Sequence, residues 1–358
     1  MVLYLPATKT KRWPRSVAIL SGGGIIGQMS EIKTIHKFED IISIDNLLDA
    51  WQEFIKNKKS RKDVQEFELN LMSNIITLHL DLKTKTYSHG PYQAFKINDP
   101  KPRDIHKALV RDRLLHHAIY RILYHHFNQK FVFDSYSCCL GKGTHKANQR
   151  FEIFARKVSK NNTKTTWILK CDVRKFFASI DQIILLDILK KHESDPDIIW
   201  LLERVIGSFY STKLGKGLPL GNLTSQLLVN IYLNEFDQYM KHQLKAKYYI
   251  RYADDFVIMS TDKNYLENLL LKINNFLQNN LKLNLHPDKV SIKTLASGVD
   301  FLGWVHFPDH RVLRTVTKKR MLRRIKNDLR DEVICSYLGM LKWGNGYKLR
   351  RKILNLGN

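Results

Sequence analysis

Two adjacent aspartates, Asp254 and Asp255, interrupt the apolar runs of YIRYADDFVIMS, residues 249–260. Tyr248, Tyr249 and Ile250 before them, and Phe256, Val257 and Ile258 after them, read as two strands, so the pair falls at a hairpin tip. Like charges held this close repel, and one carboxyl pKa rises unless a cation stands between them. A pair of hard divalent cations removes the conflict and supplies a chemistry. Two ions about 3.5–4 Å apart stabilise the attacking and leaving oxygens of an in-line phosphoryl displacement. Such a site needs a third carboxylate. WILKCDVRKFFASID, residues 167–181, offers one: an apolar strand ending at Asp172, with Ser179 or Asp181 as N-cap of a following helix. Three oxygen-donor side chains suit Mg²⁺.

Between these two segments lies GLPLGNLTSQLLVNIYLNEFD, residues 217–237, and after them come LKLNLHPDKV, residues 281–290, and VDFLGWVHF, residues 299–307. YADD in a hairpin, preceded by an aspartate with Phe177 five residues on and followed by FLGW, resembles the palm of a reverse transcriptase. The resemblance runs in the family's motif order from about residue 45 onward. It implies an α+β right-hand polymerase fold with fingers, an antiparallel-sheet palm and a small helical thumb. In group II intron and retron enzymes the intervening motif reads QGxxxSP. Here Leu220 replaces the glutamine and Gln226 the proline. An aliphatic residue followed by GxxxSQ is similar to the reverse transcriptases of diversity-generating retroelements. GPYQAFKINDPKPRDI (90–105), RDRLLHHAI (111–119) and GKGTHKA (141–147) resemble that family too. The resemblance implies error-prone copying of a template RNA at adenines, from a primer and dNTPs, into cDNA that rewrites a variable gene. It also implies a small basic pentameric accessory protein as partner and two Mg²⁺ ions, with Mn²⁺ as an alternative. The rival readings are a phage-defence or group II intron relative, and a catalytically dead, basic RNA-binding scaffold.

The same resemblance assigns the candidate site residues. Asp172, Asp254 and Asp255 are the catalytic metal ligands, and Lys289 is the general acid near the leaving pyrophosphate. Phe177 is the steric gate against a ribose 2′-hydroxyl. Arg103 and Arg113 are the triphosphate cations, with Lys101 and Arg111 nearby on template or phosphate. Leu220, Gly221 and Gln226 line the nascent base pair, where an aliphatic group cannot hydrogen-bond and discrimination rests on shape. Phe301, Leu302, Gly303 and Trp304 form a primer grip. His116, His117, His125 and His126 read as packing or RNA contacts rather than metal ligands.

Charge points the same way. Lys and Arg total 59 against 34 acidic residues, a net charge of +25, which calls for a polyanionic partner. An anionic membrane is the alternative, but no run approaches the roughly 20 apolar residues of a spanning helix. Cys138, Cys139, Cys171 and Cys335 lack zinc-ligand spacing and read as cytoplasmic free thiols. Residues 1–36 read as a basic extension, 37–164 as fingers, 165–308 as palm with an insertion near 195–216, and 309–358 as thumb. Ile44 to Ile55 is amphipathic with Asp45 as N-cap, and 64–80 reads as a single helix. Residues 311–330 hold nine Lys or Arg, among them Arg320, Arg323 and Arg324, and one acid, Asp328, in a helical pattern suited to tracking a duplex backbone. No endonuclease or intron-binding segment is expected after it.

Overall fold

A computed structural model of the chain describes residues 36–98 and 102–355. The extension expected over 1–36, His36 apart, lies outside the described residues, as does Lys101. The first layer is helical: α1 (Phe38–Ile42), α2 (Ile44–Phe54), α3 (Lys62–Leu69) and α4 (Leu71–Lys83). α2 buries Leu47, Ala50, Trp51 and Phe54, as its periodicity predicts. Its N-cap is Ser43 rather than Asp45: Ser43 Oγ accepts from the Asn46 amide at 3.2 Å. Asp45 sits in the first turn, where a carboxylate meets the positive end of the helix dipole. The single helix expected over 64–80 is two, because Asn70 leaves helical backbone at φ −118°, ψ 35°. β1 (Gln93–Ile97) and β2 (Arg103–Lys107) make an antiparallel hairpin. α5 (Val110–Asn128) then buries Leu114, Leu115, Ala118, Ile119, Leu123 and Phe127, and its Arg121 reaches Asn46, Asp49 and Glu53 of α2. α6 (Thr144–Val158) follows.

The central sheet contains β3 (Trp167–Asp172), β4 (Tyr249–Tyr252), β5 (Asp255–Ser260) and β6 (Ser291–Thr294) in the order β4-β5-β3-β6, every pair antiparallel. Both faces are covered, which is why its strands read as nearly continuous apolar runs. Leu169, Cys171, Phe256 and Ile258 belong to the main core. Ile168, Ile250, Val257 and Met259 pack with Phe151 and Phe154 of α6. Between β3 and β4 come α7 (Phe176–Ser179), α8 (Gln182–His192), α9 (Pro196–Gly207) and α10 (Leu223–Gln238). Asp181 is the N-cap of α8, accepting from the amides of Ile183 and Ile184 at 3.1 and 3.2 Å. α10 is buried nearly all round, so Leu227, Leu228, Ile231, Tyr232 and Phe236 are core. It begins at Leu223, which places Gln226 in its first turn. α11 (Lys263–Leu281) closes the main core behind the sheet.

A second sheet, β7 (Val299–Phe301), β8 (Trp304–His306) and β9 (Arg311–Leu313), leads to α12 (Thr315–Asn327), α13 (Asp331–Leu341) and α14 (Tyr347–Leu354). Residues 311–313 are a strand, where the sequence pattern suggested helix. Their pairing with β8 buries Arg311 and Leu313 on alternate positions and delays the helix to Thr315. The boundary expected at 308 therefore runs through a small sheet. The last helices have their own core of Met321, Ile325, Leu341 and Ile353, closed by Trp304 and Leu313.

Candidate active site

Strand register brings the three aspartates to one sheet end. Asp172 pairs with Asp255 across β3 and β5, Tyr252 pairs with Asp255 across the hairpin, and Asp254 occupies the turn. The Val173 amide donates to the Asp254 carbonyl at 3.1 Å, stitching the turn to the end of β3. Burial, with the charges of Asp172 and Asp255, pushes the Asp254 pKa up to about 6. Burial also raises Asp255, partly offset by Lys170. Its Oδ1 is buried with no hydrogen-bond partner. Three carboxylates, an orphaned carboxylate oxygen and mutual repulsion fit hard divalent cations.

Two lysines contribute positive charge. Lys289 Nζ donates to Asp172 Oδ1 at 2.7 Å. Lys170 Nζ stands 3.8 Å from Asp255 Oδ1 and donates to the Asp300 carbonyl at 2.8 Å. Lys170 escaped the sequence reading. Its signal was a lone charge inside an apolar strand, two residues before Asp172 and so on the same face.

Arg251 and Asp237 were also missed. Both are fully buried. The guanidinium grips Asp237 twice, at 2.6 and 2.8 Å, and the Tyr249 hydroxyl donates to the same carboxylate at 2.6 Å. Arg251 Nη1 then donates to the Ala253 carbonyl at 3.2 Å. Ala253 has φ +53°, a left-handed backbone that is costly for alanine. The buried pair thus ties the aspartate turn to α10. A charged residue between apolar neighbours in YIRY was the available signal.

A second group surrounds residues 217–222. The Leu218 amide donates to the Phe177 carbonyl at 2.8 Å, and the His106 amide of β2 donates to the Leu220 carbonyl at 3.1 Å. Asn222 reaches the His106 carbonyl at 2.9 Å. Gly221 has φ +110°, and a Cβ there would lie 2.9 Å from Ile105 Cγ2. Half-buried Leu220 and exposed Gly221 therefore lie against the hairpin that carries exposed Arg103, and half-buried Phe177 is tied to the same segment through Leu218.

Other candidates are engaged elsewhere. Arg113 pairs with Asp63 at 2.5 Å and lies over the Phe54 ring, and Lys107 binds the same Asp63 at 2.6 Å. Arg111 pairs with Asp81 and lies over Tyr87. A role for either arginine at a triphosphate requires breaking these pairs. His116 and His117 are packed among the N-terminal helices, where burial lowers their pKa. In the β7–β8 hairpin, Leu302 and Gly303 both have positive φ, +49° and +89°, as a two-residue type I′ turn requires. Phe301 is buried against Phe151, and Trp304 is buried facing Gly344, where a Cβ would clash with its ring. Within the expected primer grip, Phe301 and Trp304 are core, and the turn at Leu302 and Gly303 is the part presented. Arg320, Arg323 and Arg324 are exposed on α12, opposite buried Met321 and Ile325. Among the described residues no helix is long and apolar enough to cross a membrane.

Residues 97–306 match the family described as "Reverse transcriptase (RNA-dependent DNA polymerase)". The chain is similar to a COX1/OXI3 intron 2 protein of Saccharomyces cerevisiae, 26% identical over 221 residues, covering 45% of this chain and 25% of that protein. It is similar to the group II intron-encoded protein LtrA of Lactococcus lactis subsp. cremoris, 23% identical over 323 residues, covering 70% and 52%. The apo telomerase of Candida tropicalis, truncated from its C-terminal domain, superposes with a TM-score of 0.50 at 15% identity, covering 64% of this chain and 55% of that one. The shared architecture is the right-hand polymerase fold. The chain spans a quarter to about half the length of the two curated relatives.

Proposed function

Because the chain belongs to the reverse transcriptase (RNA-dependent DNA polymerase) family, we propose that it copies a template RNA into DNA at Asp172, Asp254 and Asp255. The observation that carries this reading is the register that sets Asp172 opposite Asp255 with Asp254 in the adjoining turn. Two Mg²⁺ ions bound there, or Mn²⁺ in their place, would lower the pKa of the primer 3′-hydroxyl and stabilise the departing oxygen. Lys289 donates to Asp172 Oδ1, which sets its ammonium at the edge of the carboxylates that would hold the ions. Its ammonium serves as general acid for the leaving pyrophosphate. Phe177, whose carbonyl accepts from the Leu218 amide, walls the sugar and excludes a 2′-hydroxyl. Arg103 offers its planar fork to the triphosphate. The turn at Leu302 and Gly303 steadies the primer end, and Arg320, Arg323 and Arg324 hold the duplex backbone.

The finer reading is an error-prone enzyme of a diversity-generating retroelement, acting with a small basic pentameric accessory protein. It rests on Leu220 and Gln226. The Leu220 carbonyl accepts from the His106 amide of β2, which anchors the backbone of a residue whose side chain has no polar group to offer. A mismatched base pair then loses little relative to a matched one. Similarity to a group II intron-encoded protein favours a second reading, an intron relative. Sequencing cDNA made on one template by wild type and Leu220→Gln, with the accessory protein present, separates the two. The retroelement reading expects adenine errors well above those at other bases, and fewer of them in the variant. Accurate copying of adenine by the wild type would remove it. Equal adenine error rates in both proteins would remove Leu220 from the mechanism.

A further inference from the structure

We propose that His36, His126 and Glu193 form a zinc-class divalent metal site that clamps the base of the N-terminal helices. One ring nitrogen of each histidine and a Glu193 oxygen lie within 4.8 Å of one another. The three come from separate parts of the chain. His36 precedes α1, His126 stands in the last turn of α5, and Glu193 is the C-cap of α8. Glu193 is buried, and the two imidazoles are half-buried with ring centroids 4.6 Å apart.

The surroundings orient the donors as outer-shell contacts orient metal ligands. His126 Nε2 lies 3.0 Å from the His192 carbonyl. A carbonyl can only accept, so Nε2 carries the proton and Nδ1 keeps a lone pair. Glu193 Oε1 accepts from the Asp195 amide at 3.0 Å, leaving Oε2 for another partner. That partner is His36 Nε2 at 2.6 Å. Moving the His36 proton to Nδ1 gives Nε2 a lone pair, and nitrogen and oxygen then open to about 3.3 Å around an ion at ordinary zinc distances. Two imidazoles and one carboxylate, with a water in the fourth position, suit Zn²⁺. They do not suit Mg²⁺, which takes oxygen donors in an octahedron. The site is thus chemically distinct from the three aspartates. The Phe38 amide already donates to Asp195 at 2.8 Å across the same junction, so an ion would reinforce an existing tie.

The test is to titrate the metal-stripped full chain with Zn²⁺ and with Co²⁺ in the presence of millimolar Mg²⁺. One ion per chain is expected, with a cobalt d–d band and a melting temperature raised by roughly 5 °C by saturating Zn²⁺. His126→Gln and Glu193→Gln should each weaken binding by at least roughly tenfold and lose the band. Asp254→Asn should keep both signals, which separates this site from the polymerase reading. X-ray absorption at the zinc edge of the wild type covers the case of a variant that does not fold: a shell of nitrogen and oxygen alone is expected. A sulfur shell, no cobalt band, or variants that bind like wild type would overturn the proposal.

Discussion

At the scale of the residue, the aspartate turn stores electrostatic conflict. Asp254 titrates near 6 rather than at the ordinary 3.8 because burial and two neighbouring carboxylates disfavour its charge. A carboxyl whose pKa rises on folding adds stability while it is protonated. That contribution is complete below about pH 4 and is lost as pH climbs through 6. In chelator at pH 8, Asp254→Asn should therefore be more stable than wild type, by about 1–2 kcal/mol after allowance for solvent screening. The gap should close below about pH 4, and the variant should make no DNA at any Mg²⁺ concentration. Thermal melts across pH with a primer-extension assay check both, and a variant that still polymerises would end the catalytic assignment. Phe177 is simpler. If its ring is the wall beside the sugar, Phe177→Ala admits ribonucleotides. Unchanged choice between dNTP and rNTP would leave Phe177 as packing alone.

At the scale of the element, the hairpin of β4 and β5 is held by one buried ion pair. Arg251→Met strands the Asp237 carboxylate inside α10's core face and should cost about 3–5 kcal/mol in denaturant unfolding. Arg251→Met with Asp237→Leu removes both charges and should recover most of that loss. It should not recover polymerisation, since the Ala253 carbonyl has lost its clamp. Full activity in the double variant would show that the turn holds its shape unaided. This pair also marks the limit of what could be read from the chain. Asp172, Asp254 and Asp255 were legible because carboxylates at strand ends break apolar runs. The strands that flank these aspartates were legible as apolar runs. Arg251 was not paired with Asp237 because nothing local says which acid meets a buried arginine fourteen residues away. Ser43 displaced Asp45 as cap, and Asn70 broke a helix, through single dihedral choices that periodicity does not resolve. Arg113 looked like a phosphate cation because its partner Asp63 lies fifty residues upstream, on another helix.

At the scale of the whole molecule, a net charge of +25 has to be distributed somewhere useful. Several cations are spent inside the fold: Arg113 on Asp63, Arg121 on Asp49 and Glu53, Lys241 on Asp134, Arg251 on Asp237. α12 is different. Its buried face is Met321 and Ile325, and Arg320, Arg323 and Arg324 lie on its exposed side, beyond the β7–β8 turn and reached through the same small sheet. A helix placed so, with its cations outward, meets a duplex through phosphates, which position it without reading sequence. Binding should therefore fall steeply with salt as counterions are released. Replacing the three arginines with Gln should weaken binding to unrelated duplexes about equally. It should flatten the plot of log affinity against log salt by up to roughly 0.9 for each phosphate no longer neutralised, the value for duplex DNA. The fold should survive, because the core residues of α12 are untouched. An unchanged slope would mean that α12 turns its charges to solvent and that the duplex is held elsewhere. Weakening confined to one duplex sequence would mean that the helix reads bases instead.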